Sequence, residues 1–273
     1  MNRIGLVILS GIVLILAPLA QMARGQSVPP AQQLIAQAQG AFATAGSAHV
    51  TGTLSGVITQ TATTLHLNTS VDGDLSWRQP PSAHLTGTVS LPAAVAGFPV
   101  GLSFETVLVD RTLALRLFSG SWSCMNVGSA GKGLSLPGVA SGALTRVLFK
   151  NAVNLGADTV DGVAVWHVQQ AGSLVSKGAR QRAVKTPVTI NLYIAQSDST
   201  LRRVTASWGG KSGTAGATVT ALADFSMYGE TVQVQLPAGC SSQSGTALGG
   251  SLRGIVLGWT ALLRLIGFSG LSH

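Results

Sequence analysis

Few residues of this chain are arranged for catalysis. Four histidines, His49, His66, His84 and His167, occur in alternating apolar and polar stretches, and His273 ends the chain. In such stretches a histidine is more often solvated or packed than catalytic. The 9 acidic residues fall mostly in turns and form no carboxylate pair suited to acid–base chemistry. We therefore expect a protein that is not an enzyme.

Motifs for phosphate binding and nucleophilic catalysis are also missing. Gly210-Lys211-Ser212 imitates the end of a nucleotide-binding P-loop, but the position that requires glycine, five residues earlier, is Thr205. No Gly-x-Ser-x-Gly nucleophile elbow occurs. We interpret 210–212 as a turn between strands and expect no cofactor.

The amino-terminal residues predict export. Arg3 precedes an apolar run from Leu6 to Leu19, and Ala23-Arg24-Gly25 is a small-x-small pattern suited to signal peptidase. Residues 1–25 therefore read as a signal peptide that is removed before Gln26. The alternative is an uncleaved membrane anchor, because the run borders on the length that spans a bilayer. No cysteine follows the run, so we expect no lipid attachment there, and we expect a secreted or otherwise extracytoplasmic protein.

Export bears on the two cysteines, Cys124 and Cys240. Neither belongs to a Cys-x-x-Cys or Cys-His cluster, so metal binding and redox catalysis are poor interpretations. In an exported chain an even pair is more often a disulfide. Closing so long a loop contributes about 4 to 5 kcal/mol in the chain-entropy model. The bridge would attach the carboxy-terminal part of the chain to the middle of the sheet.

Composition favours a β-rich folded domain. Only 10% of the residues are charged, 34 are glycine, and the mean hydropathy is +0.41, which argues against disorder. The formal net charge is +8 at pH 7. Because the positive charges are sparse along the chain, they suit anionic lipid headgroups or acidic wall polymers better than nucleic acid. Nucleic acid usually requires clustered lysine and arginine. We expect no nucleic-acid partner.

Periodicity places two helices and a series of strands. Leu34, Ile35, Ala38 and Phe42 share one face of a helix predicted over Ala31 to Ala45. A second helix is predicted from Ala143 to Leu155, since Leu144, Val147 and Leu148 follow a helical stripe. Alternation predicts strands at 49–54, 63–71, 75–78, 83–91, 102–109, 112–118, 163–170, 188–194, 201–208, 218–225 and 231–236.

Turn signals separate these strands. Asp72-Gly73, Asp110-Arg111 and Asp161-Gly162 predict hairpins, and the basic stretch from Ser173 to Lys185 predicts an exposed loop. The order of helix, strands, helix, strands indicates an α+β domain with one extended, curved antiparallel sheet and helices on one face.

Several of these landmarks resemble one family. They are the strand opening Ser47 to Gly52, the Gly73-Asp74 turn leading to Trp77-Arg78 and Pro80-Pro81, Gly120-Ser121-Trp122, Asp161-Gly162, the pair of strands from Ile194 to Arg203, and Asp224-Phe225 ahead of Val232-Gln233-Val234. Over Ala31 to Pro237 the chain resembles the lipoprotein carrier superfamily that includes LolA and the mycobacterial LppX/LprG lipoproteins. One departure is that those mycobacterial members carry a lipobox cysteine, which this chain lacks.

The resemblance implies an incomplete β-barrel with helices on its concave face and an apolar cavity for acyl chains, formed by residues 26–237. An acyl chain of about sixteen carbons gains on the order of 12 kcal/mol on leaving water. The resemblance thus implies a carrier whose partner is a lipid or an acylated protein, and we expect it to be monomeric. Candidate cavity residues are Leu102, Phe104, Leu108, Leu113, Leu115, Leu117, Leu144, Val147, Leu148, Val188, Ile190 and Leu192.

The alternative is that these apolar residues fill a solid core. The chain would then be a cell-surface structural or adhesion domain, which shares the signal and the disulfide.

A Gly/Ser-rich linker at 238–250 leads to a predicted amphipathic helix at 251–273. Ile255, Trp259, Leu262 and Ile266 follow its apolar stripe. The helix could lie in a membrane surface, dock on its own domain or cover the cavity mouth.

Overall fold

The computed structural model describes residues 28–60, 63–91, 100–126, 144–149, 152–177, 183–212 and 215–240. Within these ranges the chain forms one α-helix followed by twelve strands. The elements are α1 Ala31–Ala45, β1 Ser47–Gln60, β2 Thr63–Ser76, β3 Ser82–Leu91, β4 Val100–Val109, β5 Thr112–Leu117, β6 Ser123–Asn126, β7 Leu144–Phe149, β8 Val153–Val160, β9 Val163–Lys177, β10 Ala183–Ala195, β11 Leu201–Ser212 and β12 Ala215–Ser226.

The helix α1 has the predicted bounds. Ala31, Leu34, Ala38 and Phe42 recur at helical spacing and are all buried. The helix ends because Gly46 takes a left-handed conformation (φ 75°) and donates its N–H to the Phe42 carbonyl oxygen. A side chain at Gly46 would also collide with Arg78, which packs over it.

All described strands belong to one antiparallel sheet. Its order is β6-β5-β4-β3-β2-β1-β12-β11-β10-β9-β7, and β8 pairs with the part of β9 that β7 leaves free. The first strand, β1, pairs with the last, β12, from His49↔Ser226 to Gln60↔Ala215. This pairing joins an amino-terminal and a carboxy-terminal half into an open sheet that begins at β6 and ends at β7.

Register divides the sheet into an apolar and a polar face. We call the first the helix face, because buried α1 side chains pack against its residues. One row of direct cross-strand partners on the helix face runs Leu192, Val204, Ala223, Gly52, Val71, Gly87, Phe104, Leu117. The neighbouring row on the polar face runs Tyr193, Arg203, Asp224, Thr51, Asp72, Thr86, Glu105, Arg116.

The predicted second helix is wrong. Residues 144–149 form β7 and 153–160 form β8, and both pair with the long strand β9. A short apolar run fits a helix or a strand equally well. Here the residues form strands because they pair with the edge of β9 that β10 does not occupy. The described residues therefore do not confirm helices on a concave face, since they contain α1 alone.

The predicted hairpin at Asp72-Gly73 is also wrong. Both residues lie inside β2, where Gly73 pairs with Val50 and Leu85. A Cβ atom at Gly73 would overlap the His84 carbonyl oxygen of β3. The glycine thus permits a close approach of two strands and does not form a turn.

Three further boundaries differ from the sequence-based expectation. The strand β9 continues to Lys177, and β10 begins at Ala183. Residues 173–177 and 183–185 of the predicted loop from Ser173 to Lys185 are therefore strand. Gly210-Lys211-Ser212 ends β11 and is not a turn. Residues 231–236 form no strand.

Residues 231–240, here called the strap, cross the polar face near β6. Val234 and Leu236 pack against a small cluster of Val107, Ala114 and Cys124. The predicted disulfide between Cys124 and Cys240 is confirmed, with their Cα atoms 5.5 Å apart.

Candidate functional site

The helix α1 crosses only part of the helix face. At its beginning, the Pro29 carbonyl oxygen accepts a hydrogen bond from Asn154 Nδ2 on β8 (2.8 Å). At its end, the Phe42 ring stacks on Trp77 with centroids 3.6 Å apart and meets Phe225 edge-on at 6.4 Å. Its length of about 22 Å compares with about 50 Å for the longest strand. Much of the helix face therefore lies beyond α1.

Two rows on the helix face lie toward the ends of β1 and β2 that are far from Phe42. We call them the far rows. One contains Trp208, Val219, Gly56 and Leu67, and the other contains Ala206, Ala221, Leu54, Thr69, Val89 and Leu102.

Several side chains in the far rows are incompletely covered. Leu54, Leu67, Leu102 and Trp208 touch the main apolar cluster but are only partly buried. Between them lie residues with little or no side chain, Gly56, Ala206 and Ala221. Large, partly buried apolar groups thus alternate with smaller residues that are themselves buried, such as Ala206, Ala221 and Val89.

The predicted cavity residues on β4, β5 and β10 do share the helix face, as their register shows. Their burial differs across the sheet. On β10, Val188, Ile190 and Leu192 are 2%, 1% and 5% exposed, whereas Leu102 and Leu117 on β4 and β5 are only partly buried. The β10 side is therefore packed, and the incompletely covered positions lie on β1, β2, β4, β5 and, next to β10, on β11 at Trp208. The remaining predicted residues of these strands are Phe104, Leu113 and Leu115, which are buried, and Leu108, which is partly buried.

Other predicted positions fall elsewhere. Leu144, Val147 and Leu148 belong to β7, where Val147 pairs with Leu174, so they do not form a helical stripe. The predicted membrane-contact residues Ile255, Trp259, Leu262 and Ile266 lie outside the described residues.

The sequence analysis missed Leu54, Leu67, Trp208 and Val219 as site candidates. The alternation of their strands was the available signal, because each occupies the same face as predicted cavity residues.

Two hydroxyl groups of the helix face are buried without a hydrogen-bond partner in the described part of the chain. They are Oγ1 of Thr69, which is 3% exposed, and Oγ1 of Thr106, which is 4% exposed. An unpaired buried hydroxyl costs about 1 to 3 kcal/mol. Thr69 belongs to a far row, between Leu54 and Val89.

On the polar face, a histidine lies between two carboxylates. His49 Nδ1 is 2.8 Å from Asp74 Oδ1, and His49 Nε2 is 3.4 Å from Asp72 Oδ2. Burial lowers the pKa of His49, but the hydrogen bond to Asp74 and the charge of Asp72 outweigh it and raise the pKa above 6.5. The cluster ties β1 to β2.

A second polar cluster joins β3, β4 and β5. His84 Nε2 is 2.8 Å from Glu105 Oε1, and Arg116 donates to the other oxygen of Glu105. Desolvation raises the pKa of Glu105, but the hydrogen bonds from His84 and Arg116 outweigh it and lower the pKa. The Arg116 guanidinium also lies 4.7 Å from the Trp122 ring centroid.

A third cluster spans β11 and β12. Arg203 makes two hydrogen bonds to Asp224, with Nε–Oδ1 2.5 Å and Nη2–Oδ2 3.0 Å, and these raise the pKa of Arg203. All three clusters pair opposite charges across neighbouring strands, which is what a sheet surface in contact with water needs.

Within the ranges that the structure describes, no group of three or more histidine, cysteine or acidic side chains could hold a metal ion. No helix in the same ranges has the length and apolarity needed to span a membrane.

Comparison with known proteins adds the following. The family model described as LppX_LprAFG lipoprotein matches residues 30–234. The solved structure of lipoprotein LppX from Mycobacterium tuberculosis is 18% identical, with 75% of this chain and 98% of that chain covered and a TM-score of 0.44. LprF from Mycobacterium bovis is 17% identical, with 77% and 97% covered and a TM-score of 0.42.

A LolA superfamily protein from Nitrosomonas europaea is 10% identical, with 75% of this chain and 96% of that chain covered and a TM-score of 0.25. No curated protein matches the chain. The family model extends from the residue before α1 through all twelve strands and into the strap, which is well over half of the chain. The chain belongs to the LppX/LprAFG lipoprotein family.

Proposed function

We propose that this protein is an exported lipid- or lipoprotein-binding carrier that holds acyl chains against the helix face. Its cargo is a lipid or an acylated protein, and it works outside the cytoplasm, where it receives cargo at a membrane surface as a monomer. It performs no covalent chemistry. Membership of a lipoprotein family supports this proposal, as does the predicted signal peptide.

The observation that supports it most is the incomplete cover of the far rows. Leu54, Leu67, Leu102 and Trp208 retain exposure although they lie on the apolar side of the sheet. Hydrocarbon that covered them would gain about 25 cal/mol for every Å² of apolar surface removed from water. An acyl chain fits this need because it is flexible and can contact several of these side chains at once.

The packed β10 side specifically favours a second candidate, a structural or adhesion domain with a solid core. Val188, Ile190 and Ile194 are nearly inaccessible, as they would be in such a core. The two functions differ in what they predict for the far rows, which a solid-core protein would leave without a ligand.

A matched pair of variants on β1 tests the proposal. Leu54 lies in a far row, whereas Val57, which is 38% exposed, lies on the polar face three residues further along. Leu54→Trp fills the space beside Gly56, so we expect it to weaken binding of a fluorescent fatty acid by at least about tenfold. Val57→Trp should bind as the wild type does.

Mass spectrometry of organic extracts provides the second measurement. Protein purified in its exported form should contain lipid, and the Leu54→Trp variant should contain less. Extracts free of lipid, together with equal fatty-acid binding by both tryptophan variants, would contradict the carrier and favour the solid core. Thermal unfolding of both variants shows whether each one is folded.

A further inference from the structure

A cleft on the polar face of the sheet is lined by hydroxyl-bearing, acidic and apolar residues, and its lining includes Val71, Gly87 and Phe104 of the first helix-face row. It has a volume of about 450 Å³ and spans β2, β3 and β4. The hydroxyl-bearing residues Ser70, Thr86, Thr88 and Ser103 line it, as do Asp72 and Glu105. Register places these residues on the polar face, in two adjacent rows of direct cross-strand partners. The volume lies in the range of about 300 to 1,000 Å³ typical of small-molecule sites.

Among the large apolar residues that line this cleft, Val71 and Phe104 are buried and Phe118 is exposed. Phe118 lines it and is 55% exposed. Its backbone has φ 52°, a left-handed conformation that a bulky residue rarely adopts, and its N–H donates to the Ser103 carbonyl oxygen (2.8 Å). Because this exposed ring lines the cleft, it offers a flat apolar surface to a ligand there.

The ring and the polar groups are complementary to a sugar. The C–H face of a pyranose is apolar and packs on the negative face of an aromatic ring, while its hydroxyl groups need donors and acceptors nearby. Ser70 Oγ and Thr88 Oγ1 are 2.8 Å apart and already share a hydrogen bond, which shows that hydroxyl groups at this point are within pairing distance. The cleft thus offers one stacking surface beside a set of hydroxyls and carboxylates.

Charge selects among sugars. The residues that line the cleft include two carboxylates and no lysine or arginine, and Arg116, which is not among them, is bound to Glu105. Anionic sugars would be repelled. We propose that the cleft binds a neutral oligosaccharide, with one pyranose ring stacked on Phe118 and its hydroxyl groups bonded to Ser70, Thr88 and Ser103.

A pair of glycine variants isolates the role of the ring. Met227 resembles Phe118 in two respects, since its φ is 49° and its side chain is 57% exposed, but it lies beyond β12 and does not line the cleft. Glycine suits a left-handed backbone at both positions, so neither Phe118→Gly nor Met227→Gly should unfold the protein. Only the first removes the stacking surface.

The measurement is ligand-observed saturation-transfer NMR of the full chain with neutral gluco-, manno- and galacto-oligosaccharides. We expect at least one series to bind, Phe118→Gly to lose at least about tenfold in affinity, and Met227→Gly to bind as the wild type does. Thr88→Val should weaken binding as well, and affinity should not change with salt.

Three results would overturn the proposal. They are no binding by any of the three series, unchanged affinity in Phe118→Gly, and binding confined to charged sugars with strong salt dependence. Thermal unfolding of each variant confirms that a loss of binding comes from a folded protein.

Discussion

At the scale of single residues, His49 gives the sheet a pH-dependent contact. Its raised pKa means that the protonated form is stabilised in the folded protein by Asp74 and Asp72. That contribution is fully present below 6.5, the ordinary value, and disappears as the pH rises through the higher folded value.

We therefore expect Asp74→Asn to lower the free energy of unfolding by up to about 1 kcal/mol near pH 6 and by less near pH 9. Urea denaturation at the two pH values measures the difference. In a His49→Gln background the pH dependence of this effect should vanish, and a larger effect of Asp74→Asn at the higher pH would contradict the assignment.

Phe42 is the residue that fixes α1 to the sheet. It is 6% exposed, stacks on Trp77 and meets Phe225 and Tyr228 edge-on. Phe42→Ala should destabilise the protein by about 3 to 5 kcal/mol, because it leaves a cavity between helix and sheet.

The matched control is Thr44→Ala on the exposed side of the same helix. Thr44→Ala should lower the free energy of unfolding by no more than about 0.5 kcal/mol, although the Thr44 hydroxyl donates to the Gly40 carbonyl oxygen. Chemical denaturation compares the two variants. If Phe42→Ala and Thr44→Ala lowered the free energy of unfolding equally, α1 would be packed less firmly than the ring contacts of Phe42 indicate.

At the scale of elements, the disulfide is the covalent link between the strap and the sheet. Cys124 and Cys240 are 116 residues apart in sequence. Replacing both by alanine should lower the free energy of unfolding by about 4 to 5 kcal/mol in the chain-entropy model, and proteolysis within 231–240 should become faster.

Reduction of the wild-type protein should reproduce both effects, and a reductant should have no effect on the double variant. An unchanged unfolding free energy after reduction would mean that Val234 and Leu236 hold the strap without the covalent link.

Local patterns predicted some elements and not others. The bounds of α1 follow from the spacing of Leu34, Ala38 and Phe42 and from Gly46, and they depend on nothing distant. The end of β4 at Val109, just before the turn at Asp110, was predicted for the same reason. The strands at 144–149 and 153–160 were not, because they depend on the free edge of β9, which the local sequence does not reveal.

The sequence predicted which face of the sheet carries the candidate site, but it did not predict which residues of that face are only partly buried. Alternation alone put Leu102, Leu117 and Val188 on one side of the sheet. Which of them stay incompletely covered depends on where α1 crosses, and that depends on the pairing of β1 with β12. Residues 49–60 and 215–226 are too far apart in sequence for a local pattern to indicate this pairing.

At the scale of the whole molecule, the two faces of one sheet have different tasks in this account. Charged pairs on the polar face hold neighbouring strands together in contact with water. The helix face is apolar across both halves, is packed at β10, and is incompletely covered in the far rows. A carrier needs this combination, because a completely filled interior has no place for cargo.

The central claim is that hydrocarbon lies against the far rows. The most direct measurement is photolabelling with a fatty acid that bears a diazirine at its chain end, followed by tandem mass spectrometry to locate the label. We expect label at Leu54, Leu67 or Leu102 and none at Val57, which lies on the opposite face of β1 from Leu54. Label confined to the polar face, or no specific label, would contradict it.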